Sequence, residues 1–188
     1  MNRPIRFIFL AISFIVASSC LKEKREVTYN NQESKIDQYI SNNMYRKNDA
    51  GGTDTLRVVY RGGASRLVTK EGHSDVELKS GGTVSFYYAG YTFTNNKSYS
   101  NLFTTNHEQT AELAGWNITD PDYEILTVNL ADDDLLTGLK DGLTGVRPGE
   151  ECQILFSGKY GFGKKPFGII SADSALLFEI WVIAVDNE

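Results

Sequence analysis

Apolar and polar positions divide the chain into three regimes. An apolar run, Phe7-Ile8-Phe9-Leu10-Ala11-Ile12-Ser13-Phe14-Ile15-Val16, is followed over 21–33 by polar and charged residues; beyond about residue 53, short apolar stretches alternate with turn residues. Over 34–45, Ile36, Tyr39 and Ile40 fall at i, i+3 and i+4 with Met44 and Tyr45 following, a spacing that predicts a short amphipathic helix packed on the domain after it. Asp49-Ala50-Gly51-Gly52 then breaks the pattern. Strands are predicted at 56–60, 76–78, 83–88, 126–130, 152–156 and 176–182, each β-rich and bounded by Gly, Asn or Asp. A single helix interrupts them, with Leu135, Leu136, Leu139, Leu143 and Val146 on one face. Asp132, Asp133 and Asp134 at its start read as caps and dipole complements rather than metal ligands. The fold class is therefore α+β: a mostly antiparallel sheet whose apolar face is covered by one short helix, with a short helical extension at the N-terminus. The stretch 103–123 is long for a connection and holds Leu113, Trp116 and Ile118, which makes it a candidate flap near a site.

Arg3 and Arg6 precede the apolar run and Ala17-Ser18-Ser19-Cys20 closes it. Ten residues are too few for a bilayer span of roughly 20, so the run reads as a signal peptide. Small residues directly before a Cys resemble the bacterial lipobox, with Ala17 where a large aliphatic is usual. That resemblance implies a lipid on Cys20 and an address in the bacterial cell envelope, on the periplasmic or outer-membrane side. The expected organisation is a signal peptide over 1–19, a lipidated tether with a short helix over 20–52, and a folded domain over 53–188.

Cys152 is the only other thiol, so an acylated Cys20 leaves it without an intramolecular partner. Its apolar strand context marks an inert core thiol. Hydrophobic residues make up 41% of the chain, enough for a core without disulfides. Nineteen basic residues against 24 acidic ones give a net charge of −5, which argues against nucleic acid and anionic lipid as partners. His73 and His107 lack metal-ligand spacing, and Gly158-Lys159-Tyr160-Gly161-Phe162-Gly163-Lys164-Lys165 lacks the Gly-Lys-Ser/Thr of a phosphate loop. No cofactor, metal or nucleic acid is expected.

Three separated blocks carry a family resemblance. The first is Val84-Ser85-Phe86-Tyr87-Tyr88-Ala89-Gly90 followed by Tyr99-Ser100-Asn101. The second is Leu135-Leu136-Thr137-Gly138-Leu139-Lys140-Asp141-Gly142 with Pro148-Gly149-Glu150. The third joins Tyr160-Gly161-Phe162-Gly163 to Gly168-Ile169-Ile170-Ser171-Ala172-Asp173-Ser174-Ala175-Leu176-Leu177-Phe178. In order and spacing they resemble the FKBP family of peptidyl-prolyl cis-trans isomerases, over about 53–185. The resemblance implies a half-barrel of antiparallel strands wrapped on the helix, with a shallow apolar pocket between them.

Carried over residue by residue, it implies catalytic positions at Tyr88, Tyr99, Phe162, Ile170 and Phe178, with Leu126, Leu135, Leu136 and Leu139 binding substrate. The main-chain N–H of Ile170 would donate to a ligand carbonyl. Several positions depart from the family: Leu139 replaces the floor Trp, Ser100 the Asp after the aromatic, Phe162 a Tyr, Leu126 an aromatic, and Ser171 the Pro after Ile-Ile. The implied function is isomerisation of X-Pro bonds in exported envelope proteins, with proline-containing polypeptides as clients and the membrane reached through the lipid. The departures keep a rival open, a catalytically weak binding or chaperone module of a membrane-associated assembly.

Overall fold

A computed structural model describes residues 5–116, 123–132 and 134–188, with side chains described from Leu21 onward. In chain order the elements are α1 (Ile5–Asn43), β1 (Tyr45–Lys47), β2 (Thr53–Thr55), β3 (Val58–Arg61), β4 (Ala64–Lys70), β5 (Thr83–Phe93), β6 (Leu102–Thr105), α2 (Glu108–Leu113), β7 (Leu126–Asn129), α3 (Thr137–Leu143), β8 (Glu151–Phe156) and β9 (Ala175–Asp186). Strands β1 and β2 form a small hairpin. The others form a seven-stranded sheet in the order β3-β4-β8-β9-β5-β6, with β7 also paired to β5, and every pairing is antiparallel. The expected antiparallel sheet, single covering helix and N-terminal helix are all present.

Because strand side chains alternate between faces, each long strand contributes to two cores. On one face Phe86, Ile154, Phe156, Phe178 and Ile180 pack with Leu139, Leu143 and Val146 from α3 and the turn after it. On the other, Leu67, Ala89, Tyr91, Phe93, Leu155 and Leu177 pack with Ile36, Tyr39 and Ile40 of α1. Coverage of both faces explains why Leu176-Leu177-Phe178 is unbroken apolar sequence.

Two expectations about helices change. Residues 21–33 are helical, the continuation of α1, where their polarity predicts a solvated tether. Lys, Glu, Arg and Leu are good helix formers whatever their charge. Tyr29, Gln32, Glu33, Ile36 and Ile40 fall at i, i+3, i+4, i+7 and i+11, one face of a helix. That face lies on the domain. Helix α3 starts at Thr137, and its N-cap, Leu136, makes no side-chain cap bond. Neither Asp132 nor Asp134 is therefore its N-cap, and Asp133 lies outside the described residues.

What fixes α3 is its other end. Arg66, buried on β4, donates to the carbonyls of Gly142 at 2.7 Å, Thr144 at 3.0 Å and Gly145 at 3.1 Å. A cation there satisfies free carbonyls and complements the helix dipole. Its counter-charge is the fully buried Glu150, 3.3 Å from Arg66 Nε and 3.1 Å from Arg57. Burial pushes the Glu150 carboxyl above the ordinary range against the pull of both guanidinium groups. Gly138 and Gly142 let α3 lie directly on Phe156 and Ile154 of β8, where any Cβ would collide.

Docking of α1 is tested by Ile40→Ala, which removes a side chain only 1% exposed. The expected loss is about 2–4 kcal/mol of unfolding free energy in a denaturant titration. A loss below about 0.5 kcal/mol, the range of ordinary surface changes, would return α1 to the status of a loose tether.

Candidate active site

Strand β5 is paired on both edges, and the site grows from its second one. There β7 pairs Thr83–Phe86 and β6 pairs Ala89–Tyr91, leaving a gap at Tyr87 and Tyr88. The Asn106 side chain, 5% exposed, fills it. Its amide oxygen accepts from the Tyr88 N–H at 2.6 Å, and its nitrogen donates to the carbonyls of Glu124 at 2.9 Å and Phe86 at 3.4 Å. One side chain thus closes the ladder where two strands part, and it sets the backbone that carries Tyr88. Nothing in hydrophobic periodicity marks Asn106.

Between this part of the sheet, α3 and the loop after β8 lies a cleft of about 500 Å³. Phe86, Tyr88, Phe103, Phe162, Phe167 and Phe178 supply its rings; Leu126, Leu139, Ile169 and Ile170 supply its aliphatic surface; Thr104 and Gly168 complete it. Phe178 is wedged between Phe103, edge-on at 5.9 Å, and Phe156, stacked at 5.9 Å. That convergence needs Gly90, since a Cβ there would stand 2.9 Å from both the Phe103 and Phe178 rings. The Tyr88 hydroxyl faces Thr104 Oγ1 at 3.4 Å, a long contact, in an otherwise apolar wall.

Of the residues expected here, Tyr88, Leu126, Leu139, Phe162, Ile170 and Phe178 line the cleft. Tyr99 does not. It sits in a 3-10 turn, 39% exposed, with the Lys97 ammonium 5.6 Å over its ring. Lys97 in turn pairs with Glu179, which also accepts from the Tyr91 hydroxyl on the α1 face of the sheet. Phe103 takes the place expected for Tyr99, and the residue after it is Thr104 rather than Ser100. The reason is that Phe103 lies within β6, paired to β5, whereas Tyr99 sits in the turn before that strand begins. Leu135 and Leu136 pack against the α3 core just before the helix and do not line the cleft.

The main-chain N–H of Ile170, expected as a donor to a ligand, has a partner within the chain. It donates to the Phe167 carbonyl at 2.9 Å, and Phe167 returns a bond to Ile170 at 3.0 Å. The two close a tight hairpin with Gly168 at φ +56°. Ile169 at its tip is 82% exposed, and Phe167, 62% exposed, stacks on Phe162 at 4.7 Å. An apolar lip therefore overhangs the cleft. The stretch 103–123 is only partly a flap: Phe103 and Thr104 line the cleft, whereas Trp116 packs on the α1-face core. Ile118 lies outside the described residues, as does the Cys20 side chain. His107 stacks on Trp181 at 3.9 Å, and burial lowers its pKa.

Comparison with known proteins places this geometry. Residues 74–183 match the family described as FKBP-type peptidyl-prolyl cis-trans isomerase. FK506-binding protein 1 of Aspergillus oryzae is 24% identical over 124 residues, covering 66% of this chain and 99% of that protein. A peptidyl-prolyl cis-trans isomerase of Pseudomonas syringae pv. tomato superposes with a TM-score of 0.55 at 15% identity, over 86% of this chain and 96% of that one. FkpA of Escherichia coli gives 0.52 at 18% identity, over 99% of this chain and 73% of that one.

Asn106→Ala would leave the Tyr88 N–H without its acceptor and the Glu124 carbonyl without this donor. The expected cost is about 1–3 kcal/mol in thermal or denaturant unfolding. A loss below about 0.5 kcal/mol, the range of ordinary surface changes, would refute the role given to these bonds.

Proposed function

Since the chain belongs to the family of FKBP-type peptidyl-prolyl cis-trans isomerases, we propose that it isomerises X-Pro bonds in this cleft and serves exported proteins at the bacterial envelope. The observation that carries the reading is a ring-lined cleft, open on one side, whose described walls present almost no polar side-chain atoms.

Rotation about an X-Pro bond meets a barrier of ~18–20 kcal/mol because the planar amide is conjugated. Twisting the bond breaks that conjugation and makes the carbonyl less polar, so the twisted form loses less than the planar one on leaving water. A dry cleft that grips the proline ring therefore favours the transition state over the ground state without a nucleophile. A differential of about 4 kcal/mol corresponds to roughly a thousandfold in rate. In this reading Tyr88, Phe103, Phe162 and Phe178 form the walls and Leu139 the floor. Ile170 contributes its side chain, because its N–H is already engaged within the hairpin.

A second reading, a binding or chaperone module of low catalytic power, is favoured by the exposed lip of Phe167 and Ile169, which offers an apolar landing for unfolded chain. One assay set separates the two. Turnover of a proline-containing peptide should exceed background and fall at least tenfold in Phe162→Ala or Tyr88→Ala, about 1.4 kcal/mol of transition-state stabilisation. Wild-type turnover equal to background, with aggregation of an unfolded client still suppressed, would select the module instead.

The address rests on the lipobox-like Ala17-Ser18-Ser19-Cys20. Cys20→Ser should abolish acylation, seen by mass spectrometry of the exported protein, and move it from the membrane to the soluble fraction. Unchanged fractionation would refute the anchor.

A further inference from the structure

The loop between β8 and β9 carries Phe162, Phe167 and Ile170, half of the cleft's rim, and its two feet meet on α1. Gln32 spans them: its side-chain oxygen accepts from the Gly158 N–H at 2.9 Å, and its nitrogen donates to the Asp173 carbonyl at 2.7 Å. Within the loop the Gly163 N–H donates to Gly158 at 3.1 Å, and the Asp173 N–H donates to Gly163 at 2.6 Å. These bonds form a closed ring through Gln32, and Phe162 is adjacent to one of its corners. The Asp173 carboxylate extends the same attachment, accepting from the Tyr29 hydroxyl and pairing with Arg25 at 3.2 Å. Ser157, at the near foot, donates to Glu33 at 3.2 Å.

The second foot is also locally strained. Asp173 is the only non-glycine with positive φ among the described residues, at +58°, a conformation that a residue with a Cβ enters at a cost. Gly158 lies so close to the Asp173 backbone that any Cβ would collide with it. Strain at one foot persists only where the surroundings over-determine it. Here α1 supplies those surroundings. The Tyr29 hydroxyl, pushed up to about 12 by burial and by the Asp173 hydrogen bond, stays a donor through the physiological range.

We propose that α1 is a working part of the site: Gln32 and Tyr29, through Gly158 and Asp173, are positioning residues that hold the rim loop in the geometry the cleft needs. Neither Gln32 nor Tyr29 lines the cleft. The effect on turnover rests on the isomerase reading; the effect on the loop does not.

The test uses the full chain with Gln32→Leu, which keeps bulk and removes both bonds, and Asp173→Gly, which removes the carboxylate and suits a positive φ. Each should lower kcat/KM for a proline peptide roughly five- to tenfold. Asp173→Gly leaves the backbone ring intact and cuts the carboxylate's link to Tyr29 and Arg25, so the double variant should lose more than either single one. Asp173→Asn, which tolerates the left-handed region and keeps an acceptor for Tyr29, should restore most of the rate. Hydrogen exchange supplies the readout that general destabilisation would not give: amides of 158–173 exchange faster while those of β5, β8 and β9 do not change. Rates within twofold of wild type in both single variants, or exchange rising equally in the loop and the sheet, would overturn the proposal. If the wild type itself shows no turnover, the isomerase reading fails, and loop exchange still decides whether α1 holds the rim.

Discussion

The eleven-residue ladder between β5 and β9 decides which side chains face α3 and which face α1, because side-chain direction alternates strictly along a paired strand. With Gly90 opposite Phe178 and Tyr88 opposite Ile180, the even positions of β5 turn toward α3 and the cleft. Ala89, Tyr91 and Phe93 turn toward α1. A slip of one residue would exchange the two cores. The irregularity between Ser85 and Phe86 is confined to one end of the ladder, beside the cleft-lining Phe86, and leaves the alternation along β5 intact.

Fixing the sheet does not by itself make a cleft. Helix α3 must be held near β8 yet far enough from β5 to leave a gap, and two unlike devices do this. Gly138 and Gly142 remove bulk on the β8 side, and Arg66 ties the carbonyl end of the helix to β4. The charge that Arg66 brings into the core is balanced by Glu150, which is shared with Arg57 near the surface. An apolar site thus rests on a polar anchor on its far side. Removal of one member would leave a buried charge uncompensated, which is why such pairs are hard to lose once built.

Strands β3, β5, β7, β8 and β9, the α3 segment and six of the nine expected pocket positions were legible in the sequence, for local reasons; the stretch 76–78, expected as a strand, forms none, and Leu78 packs from a loop into the α3-face core. Glycines at 90, 138 and 142 are spaced by contacts that only a missing side chain permits, and the nearly unbroken apolar run over 176–182, bounded by turn residues, reports a strand covered on both faces. The misplacement of Tyr99 has a different origin. Both Tyr99 and Phe103 are aromatics in the same short stretch, and only the point at which β6 begins, at Leu102, says which one meets Phe178. Strand β4 escaped because its inward Arg66 breaks the apolar pattern. The helical stretch over 21–33 escaped because Gln32 and Glu33 dock through hydrogen bonds, which hydropathy does not register.

Continuity of α1 bears on how the domain would sit on a membrane. A helix rises about 1.5 Å per residue, so an acyl group on Cys20 would lie only about 14 Å along the axis from Tyr29, the first fully docked side chain. A flexible leash lets a catalytic head sweep a hemisphere and turn freely. A rod clamped to its head keeps the distance from anchor to cleft fixed. An acylated chain would then move as one body about Cys20, its cleft confined to a shell of constant radius around that point.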